Sequence, residues 1–366
     1  QRMHRWICLC IQISCGGFLL LERNCFPLII SIINENFSQT SDTYLIAKIH
    51  NTLIELMLCY GKELTIEYAP KIGREIINEI SGIYLEGYLM CELSRSIDIR
   101  LIPSIFKCII QFIDLLGPDI NSLMVEEANN PPQQFVEQLK QNIDVYLRSP
   151  YKSARGLAIE ILAHLAYALP DSKELLGFTY NNIMANISDK KTDLQESIAK
   201  SLRYLLMISP QLFISTQDSF ISYSEDIVGR ISSGNIDSHS LKYSIIALWC
   251  QVIMTFQLTP SIPIFNMVVS ALPPPISDES IPVIANFGSY AMRAFPSEQL
   301  AQRMPLIAAA VIASEQSILQ KMDKAIILEM LERLNAIQVD NFITLVKNDQ
   351  GALRQLTVNI TKLTAS

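Results

Sequence analysis

Apolar residues recur at helical spacing along most of this chain. From Thr43 onward they form runs of about twelve to twenty residues, separated by short breaks that carry Pro, Asp, Ser or Gly. The run over residues 99–116 places an apolar side chain at every third or fourth position and stops at Gly117-Pro118. The same design recurs in two later runs that end at a proline: residues 154–169 before Pro170 and residues 194–208 before Pro210. The pattern predicts consecutive α-helices.

Further helices of similar length are predicted between and after these runs, at residues 173–186, 211–231, 262–271, 297–313 and 314–334. The helix stops at Pro170 and Pro210 are 40 residues apart, the next stop near Gln257 is 47 further on, and Pro296 follows after 39. A period of about 40 to 47 residues is typical of HEAT repeats, which are antiparallel helix pairs.

We therefore predict an all-α fold, an α-solenoid of HEAT-type antiparallel helix pairs without a β-sheet. Because only the apolar positions and the stops recur, an irregular helical domain is the alternative. Six side chains are predicted to be buried between repeats: Leu157, Ile161, Leu202, Leu205, Ile245 and Leu248.

The stretch MVEEANNPPQQ at residues 124–134 departs from the helical pattern. Its acidic residues, asparagines and Pro131-Pro132 predict a solvated loop. This loop divides the array into an N-terminal helical block, residues 1–130, and a C-terminal HEAT-repeat block, residues 131–366. A hinge inside one solenoid is favoured over two independent domains.

Residues 1–42 have no assigned place in the array. An apolar run at residues 6–21 follows basic residues, as in a signal peptide. A helix needs about 20 residues to span a bilayer, so this run is too short. Gly16-Gly17 also interrupts it. A buried helix is expected here, with a membrane or secretory signal as the alternative. Because the chain begins with Gln1 rather than Met, we expect it to start inside a longer protein or in a misassigned first exon.

Composition narrows the class of partner. Hydrophobic residues make up 49% of the 366 residues and charged residues 18%, which is enough apolar material for a large core. The formal net charge of −7 argues against a nucleic-acid phosphate backbone as the main partner and permits a basic protein partner. The eight cysteines lack the spacing of a disulfide framework, and buried free thiols are favoured over a zinc site.

Motifs of enzymes and cofactor binders do not occur, so we expect a protein that is not an enzyme and has no cofactor or metal. His50 and His164 lie in apolar helices, where a structural imidazole is favoured over a general base. Lys190-Lys191 and the basic residues of 148–155 are expected to be solvated surface rather than partner contacts. Trp249 either packs between repeats, which is favoured, or projects into a concave groove to hold a peptide.

Two segments carry a resemblance to a known family. The run FNMVVSALPPPISDES at residues 265–280 resembles the helix of β-karyopherins that ends in Leu-Pro, here Leu272-Pro273, ahead of acidic residues. The run IPSIFKCIIQFIDLLGPD at residues 102–119 is similar to the family helix that precedes an acidic insert, reduced here to Glu126-Glu127. The order of elements resembles the C-terminal half of the importin-five branch of the importin-beta family.

The resemblance implies a nuclear import receptor, or a fragment of one, in the cytoplasm, nucleus and nuclear pore. Such a receptor carries basic protein cargo, contacts Phe-Gly nucleoporins and binds the Ran GTPase mainly through N-terminal repeats, which the resemblance places outside this chain. No direct nucleic-acid contact and no membrane insertion are expected. The candidate partner-binding residues are Asp278, Glu279, Glu126, Glu127, Trp249, Phe178, Phe213 and Phe220. The alternative function is a HEAT-repeat scaffold outside nuclear transport, such as a phosphatase scaffold or a coat-type subunit.

Overall fold

The computed structural model describes residues 43–93, 101–125, 132–214, 223–224, 226–227, 229–230, 238–257, 265–266, 268–269, 271–272, 279–314, 316–319 and 322–334. The helices with defined bounds in these ranges are α1 Thr43–Leu93, α2 Leu101–Leu116, α3 Phe135–Leu147, α4 Lys152–Ala168, α5 Lys173–Asn186, α6 Thr192–Ile208, α7 Gln211–Ile214, α8 His239–Phe256, α9 Ile281–Ala294, α10 Glu298–Ile312, α11 Gln316–Leu319 and α12 Lys324–Leu334. A 3-10 helix covers Gly117–Ser122, and two short strands are β1 Met124–Val125 and β2 Gln133–Gln134.

The all-α prediction is confirmed for the described residues. The ends of α2, α4, α5, α6 and α10 lie within two residues of the bounds expected from the apolar runs. Gly117 ends α2 because it adopts a φ of +56°, which other residues rarely tolerate. Ser172 begins α5, since its hydroxyl accepts the backbone N–H of Leu175.

Three details of the prediction are wrong. Residues 314–334 form two helices, α11 and α12, because the Asp323 carboxylate accepts the N–H of Ala325 and starts a new helix there. The predicted absence of a β-sheet fails, since Met124 pairs with Gln134 in an antiparallel ladder. Leu157 is only half-buried, whereas its neighbours Gly156 and Ala158 in α4 are buried.

The other five side chains predicted to be buried lie in the core, as expected: Ile161, Leu202, Leu205, Ile245 and Leu248. The chain divides into two compact units, Gln1–Ser201 and Leu202–Ser366. The boundary predicted after residue 130 stays a prediction.

Helix α1 contains a sharp change of direction at Gly61. Its φ of 72° and ψ of −172° are not helical, so residues 43–60 and 62–93 are two helical parts. The Thr65 hydroxyl donates to the Gly61 carbonyl at 2.8 Å, one turn earlier in the chain.

The helices of the first unit fall into two sets by their contacts. The A set consists of residues 62–93 of α1, then α3 and α5. Between α1 and α3, Ser81 Oγ donates to Asn142 Oδ1 at 2.7 Å. Between α3 and α5, Lys140 pairs with Glu174 at 3.6 Å. The B set is residues 43–60 of α1, then α2, α4 and the part of α6 up to Ser201. Helices of one set also pack on the other, as α2 does on α1 and α4 on α3 and α5.

Aromatic residues fill the centre between the two sets. Phe106 of α2 meets Tyr146 of α3 edge-on with ring centroids 5.2 Å apart, and Phe112 meets Phe135 in the same way at 5.5 Å. The Tyr146 hydroxyl donates to the carbonyl of Ile80 at 2.8 Å, so this buried polar group is satisfied. Burial of these rings contributes to the packing of α2 against α3.

The second unit has its own core, built from α8, α9, α10 and α12. Helix α9 packs against α8 and α10, and α10 packs against α12. Fully or almost fully buried side chains from successive helices meet there: Ile245, Leu248, Ile284, Phe287 and Ile307.

Within the described part of the chain, one segment is long and apolar enough to cross a membrane by length and composition, Leu101–Ser122. It comprises α2 and the 3-10 helix. Half of its most apolar window is buried inside the protein, and α2 packs against α1 and α4. The expectation of no membrane insertion stays a prediction.

Candidate functional site

The candidate partner-binding residues with described side chains lie on separate elements. Trp249 of α8 is 6% exposed, so it packs in the core, as favoured from the sequence, and does not project into a groove. Phe178 of α5 is 37% exposed and presents part of its ring to solvent. Glu279 is exposed in the turn that leads into α9.

The other candidates cannot be placed in a site. Glu126, Glu127, Asp278 and Phe220 lie outside the described residues, and for Phe213 only its backbone position in α7 is described. Partner binding by the eight candidates therefore stays a prediction.

The described structure instead shows buried polar contacts between neighbouring helices of the B set. The first joins His50 of α1 to Ser104 of α2, with 2.8 Å between Nδ1 and Oγ. The Ser104 hydroxyl donates its proton to the Leu101 carbonyl at 2.9 Å, so it accepts from the Nδ1–H of His50. Burial lowers the pKa of His50 to about 3, and the imidazole is neutral at physiological pH.

The second contact joins α2 to α4. His164 Nδ1 lies 2.5 Å from Asp114 Oδ1, and both side chains are largely buried. A carboxylate can only accept a hydrogen bond, so with Asp114 ionised Nδ1 is the donor.

The third contact joins α4 to α6. The Ser197 hydroxyl donates to Glu160 Oε1 at 2.5 Å in a buried position. Gly156 makes this close approach possible, since a Cβ at that position would lie 2.7 Å from Ser197 Oγ. Each neighbouring pair in the B set is thus bridged by one buried polar contact.

These contacts connect neighbouring helices of the B set. His164 is bonded to Asp114 while Ser197 is bonded to Glu160, so the polar groups are used between helices. In the described ranges, no group of three His, Cys, Asp or Glu side chains is placed to bind a metal ion. The buried polar contacts can fix the register of successive helices, because a buried charge or dipole that loses its hydrogen-bond partner destabilises the fold.

A second polar cluster lies at the turns between α3 and α4 and between α5 and α6. The Lys152 ammonium donates to Asp189, and this hydrogen bond lowers the pKa of the Asp189 carboxyl. Arg155 donates to the Ser149 carbonyl at 2.7 Å and to Asn186 Oδ1 at 3.1 Å. The two turns therefore lie side by side at one end of the helices.

Two cysteines have described side chains, and both are free and buried as predicted: Cys108 and Cys250. Burial raises the pKa of the Cys108 thiol to about 12 and also raises the pKa of the Cys250 thiol. Both thiols are protonated at neutral pH and are poor nucleophiles. The remaining cysteine side chains lie outside the described residues.

Sequence reasoning identified His50 and His164 as structural residues but missed their partners. Asp114, Glu160 and Ser197 each interrupt an apolar helix face, and this is the signal that could have identified them. The pattern shows that such a residue needs a partner, but it does not show which helix supplies that partner.

Comparison with known proteins does not identify a relative. No family model matches this chain, and no curated protein matches it. Three properties of the chain bear on its function: the arrangement of its helices, its net charge, and the resemblance of residues 102–119 and 265–280 to β-karyopherin helices.

Proposed function

We propose that this chain is a segment of a nuclear import receptor of the β-karyopherin type, which carries protein cargo through the nuclear pore under control of the Ran GTPase. In this proposal its helix pairs are HEAT-type repeats of a solenoid. The supporting observation is the way in which helices of the first unit follow one another: each helix bonds to the next member of its own set. Stacked helix pairs produce this order, because each pair contacts only its neighbours.

Net charge supports a basic cargo. The chain carries −7, and opposite charge on a cargo speeds association and selects against acidic competitors. Exposed Glu279 and its neighbour Asp278 are the proposed contacts in the second unit. Ran would act mainly through repeats outside this chain, and the receptor would shuttle between cytoplasm and nucleus.

Phe178 supports contact with Phe-Gly nucleoporins. It lies on α5 of the A set with 37% of its surface exposed, so an incoming phenylalanine ring can pack against it. A single ring buries little area and must be ordered on binding, so the affinity should be weak, about micromolar to millimolar. Weak binding gives the fast exchange that passage through a pore requires.

The deciding experiment is titration of the full chain with a Phe-Gly peptide, followed by NMR or crosslinking, with a Ser-Gly peptide as control. We expect contacts from the Phe-Gly peptide alone, and weaker contact near α5 in Phe178→Ala. Ile66→Ala is the matched control, because Ile66 is a comparably exposed apolar residue on α1. Identical behaviour of the two peptides everywhere on the chain would reject the receptor and favour a HEAT scaffold outside nuclear transport.

A further inference from the structure

The first unit carries a concentration of positive charge that the proposed function does not use. Five basic and two acidic side chains lie in two segments, residues 148–155 and 186–193. Each segment comprises a turn and the start of the helix that follows it, α4 or α6. The chain as a whole is acidic, at −7. We call the five basic residues the basic edge: Arg148, Lys152, Arg155, Lys190 and Lys191.

The structure brings the two turns together. Lys152 bonds to Asp189, and Arg155 bonds to Asn186 at 3.1 Å, so residues far apart in sequence share one surface. Because Lys152 already neutralises Asp189, that carboxylate does not compensate the two lysines that follow it.

Three members of the basic edge remain available to a ligand. Lys190 and Lys191 are exposed, and the described structure gives neither of them an ion pair. Arg148, with a 77% exposed side chain, pairs with Asp144 one turn earlier in its own helix and keeps donors free. Tyr151 lies beside them, 52% exposed, and supplies an aromatic surface.

The start of α4 adds to the positive potential. Helix N-termini favour acidic side chains, but the first turn of α4 has no acidic residue or side-chain cap; its Lys152 is paired with Asp189, and its Arg155 adds a further positive charge. An anionic occupant would relieve this accumulation of positive charge, and the exposed lysines of the neighbouring turn would reach the same occupant.

We propose that the basic edge binds an extended acidic segment of a partner protein. The cations lie on two turns of adjacent helix pairs, which packing places about 10 Å apart, so an extended chain fits them better than a compact anion. Alternate side chains of an extended segment repeat every ~7 Å and can reach both turns. This proposal does not rest on the import receptor, whose cargo would have the opposite charge.

The test measures fluorescence anisotropy of a labelled oligoglutamate peptide of about eight residues, which spans about 27 Å when extended, against the full chain at low salt. Lys190→Glu with Lys191→Glu should weaken binding by about tenfold or more, since both attractions become repulsions. The matched control is Lys71→Glu with Lys173→Glu, the same charge change at exposed lysines of α1 and α5. The control should stay within about twofold of the unmodified chain, and circular dichroism verifies that both variants fold.

Three results would overturn the proposal. Equal binding of an oligoglutamine peptide would show that charge is not recognised. Equal loss in both double variants would show a response to net charge rather than to this edge. Binding to phosphatidylserine vesicles without any binding of the oligoglutamate peptide would assign the edge to a membrane surface.

Discussion

At the scale of single residues, His50 is the clearest case of a polar side chain held in the core for structure. It is fully buried, its Nδ1 bonds to Ser104, and its pKa is lowered to about 3 from an ordinary value of 6.5. Below pH 6.5 the unfolded chain binds a proton at this residue while the folded chain does not. Stability therefore falls as the pH drops from about 6.5 towards 3, by up to about 1.4 kcal/mol per pH unit.

This gives a prediction for His50→Gln, which keeps a donor for Ser104 but does not titrate. Between about pH 7 and about pH 5.5, the free energy of unfolding should fall less in His50→Gln than in the unmodified chain. Urea denaturation followed by circular dichroism at the two pH values measures the difference. Parallel losses in the two proteins would mean that His50 is protonated in the folded state.

At the scale of elements, the apolar runs were enough to locate most helices. The end of α2 followed from the stop at Gly117-Pro118, because a glycine with positive φ ends a helix through local backbone geometry. The division between α11 and α12 was missed because the apolar pattern continues across Asp323, and a single local hydrogen bond decides the break.

The contacts between helices could not be predicted in the same way. The pairing of Asp114 with His164 and of Glu160 with Ser197 joins residues 50 and 37 positions apart. Nothing in the spacing of one helix fixes which turn of another helix faces it. The candidates Glu126, Glu127, Asp278 and Phe220 lie outside the described residues, and only the backbone of Phe213 is described, so all five stay predictions.

The close approach of α4 and α6 leads to a prediction for glycine. At Gly156 a Cβ would lie 2.7 Å from Ser197 Oγ and 3.0 Å from Ser197 Cβ, so Gly156→Ala must displace the Ser197 side chain from Glu160 or push the helices apart. We expect a loss of about 1 to 3 kcal/mol in the free energy of unfolding.

Gly177 of α5 is the matched control, because a Cβ there would meet no atom within 4 Å. Gly177→Ala should stabilise the protein by about 0.5 to 1 kcal/mol through a smaller loss of backbone entropy. Thermal and urea denaturation of both variants measure the two effects. A destabilised Gly177→Ala, or an unchanged Gly156→Ala, would contradict this account of the α4 and α6 contact.

At the scale of the whole molecule, the open question is whether the helices form a repeat array or one cooperative globular domain. The contacts form two compact units, and within the first unit polar bridges join consecutive members of the B set. In a repeat array, the free energy of unfolding is close to the sum of the stabilities of single repeats and of the interfaces between neighbours. A destabilising substitution therefore affects mainly the repeats next to it. In one globular domain, a single core substitution weakens every part to the same extent.

Two core substitutions, one in each unit, separate these cases. Leu162 of α4 and Leu300 of α10 are fully buried, and replacement of either by Ala should cost about 2 to 5 kcal/mol at its own position. In a repeat array, hydrogen exchange measured by mass spectrometry should speed up most in α4 and its neighbours α2 and α5 for Leu162→Ala, with α10 and α12 unchanged. Leu300→Ala should show the reverse pattern, since α10 contacts α9 and α12. A uniform increase across both units in either variant would exclude the array, and with it the physical basis for a solenoid receptor that binds different partners along its length.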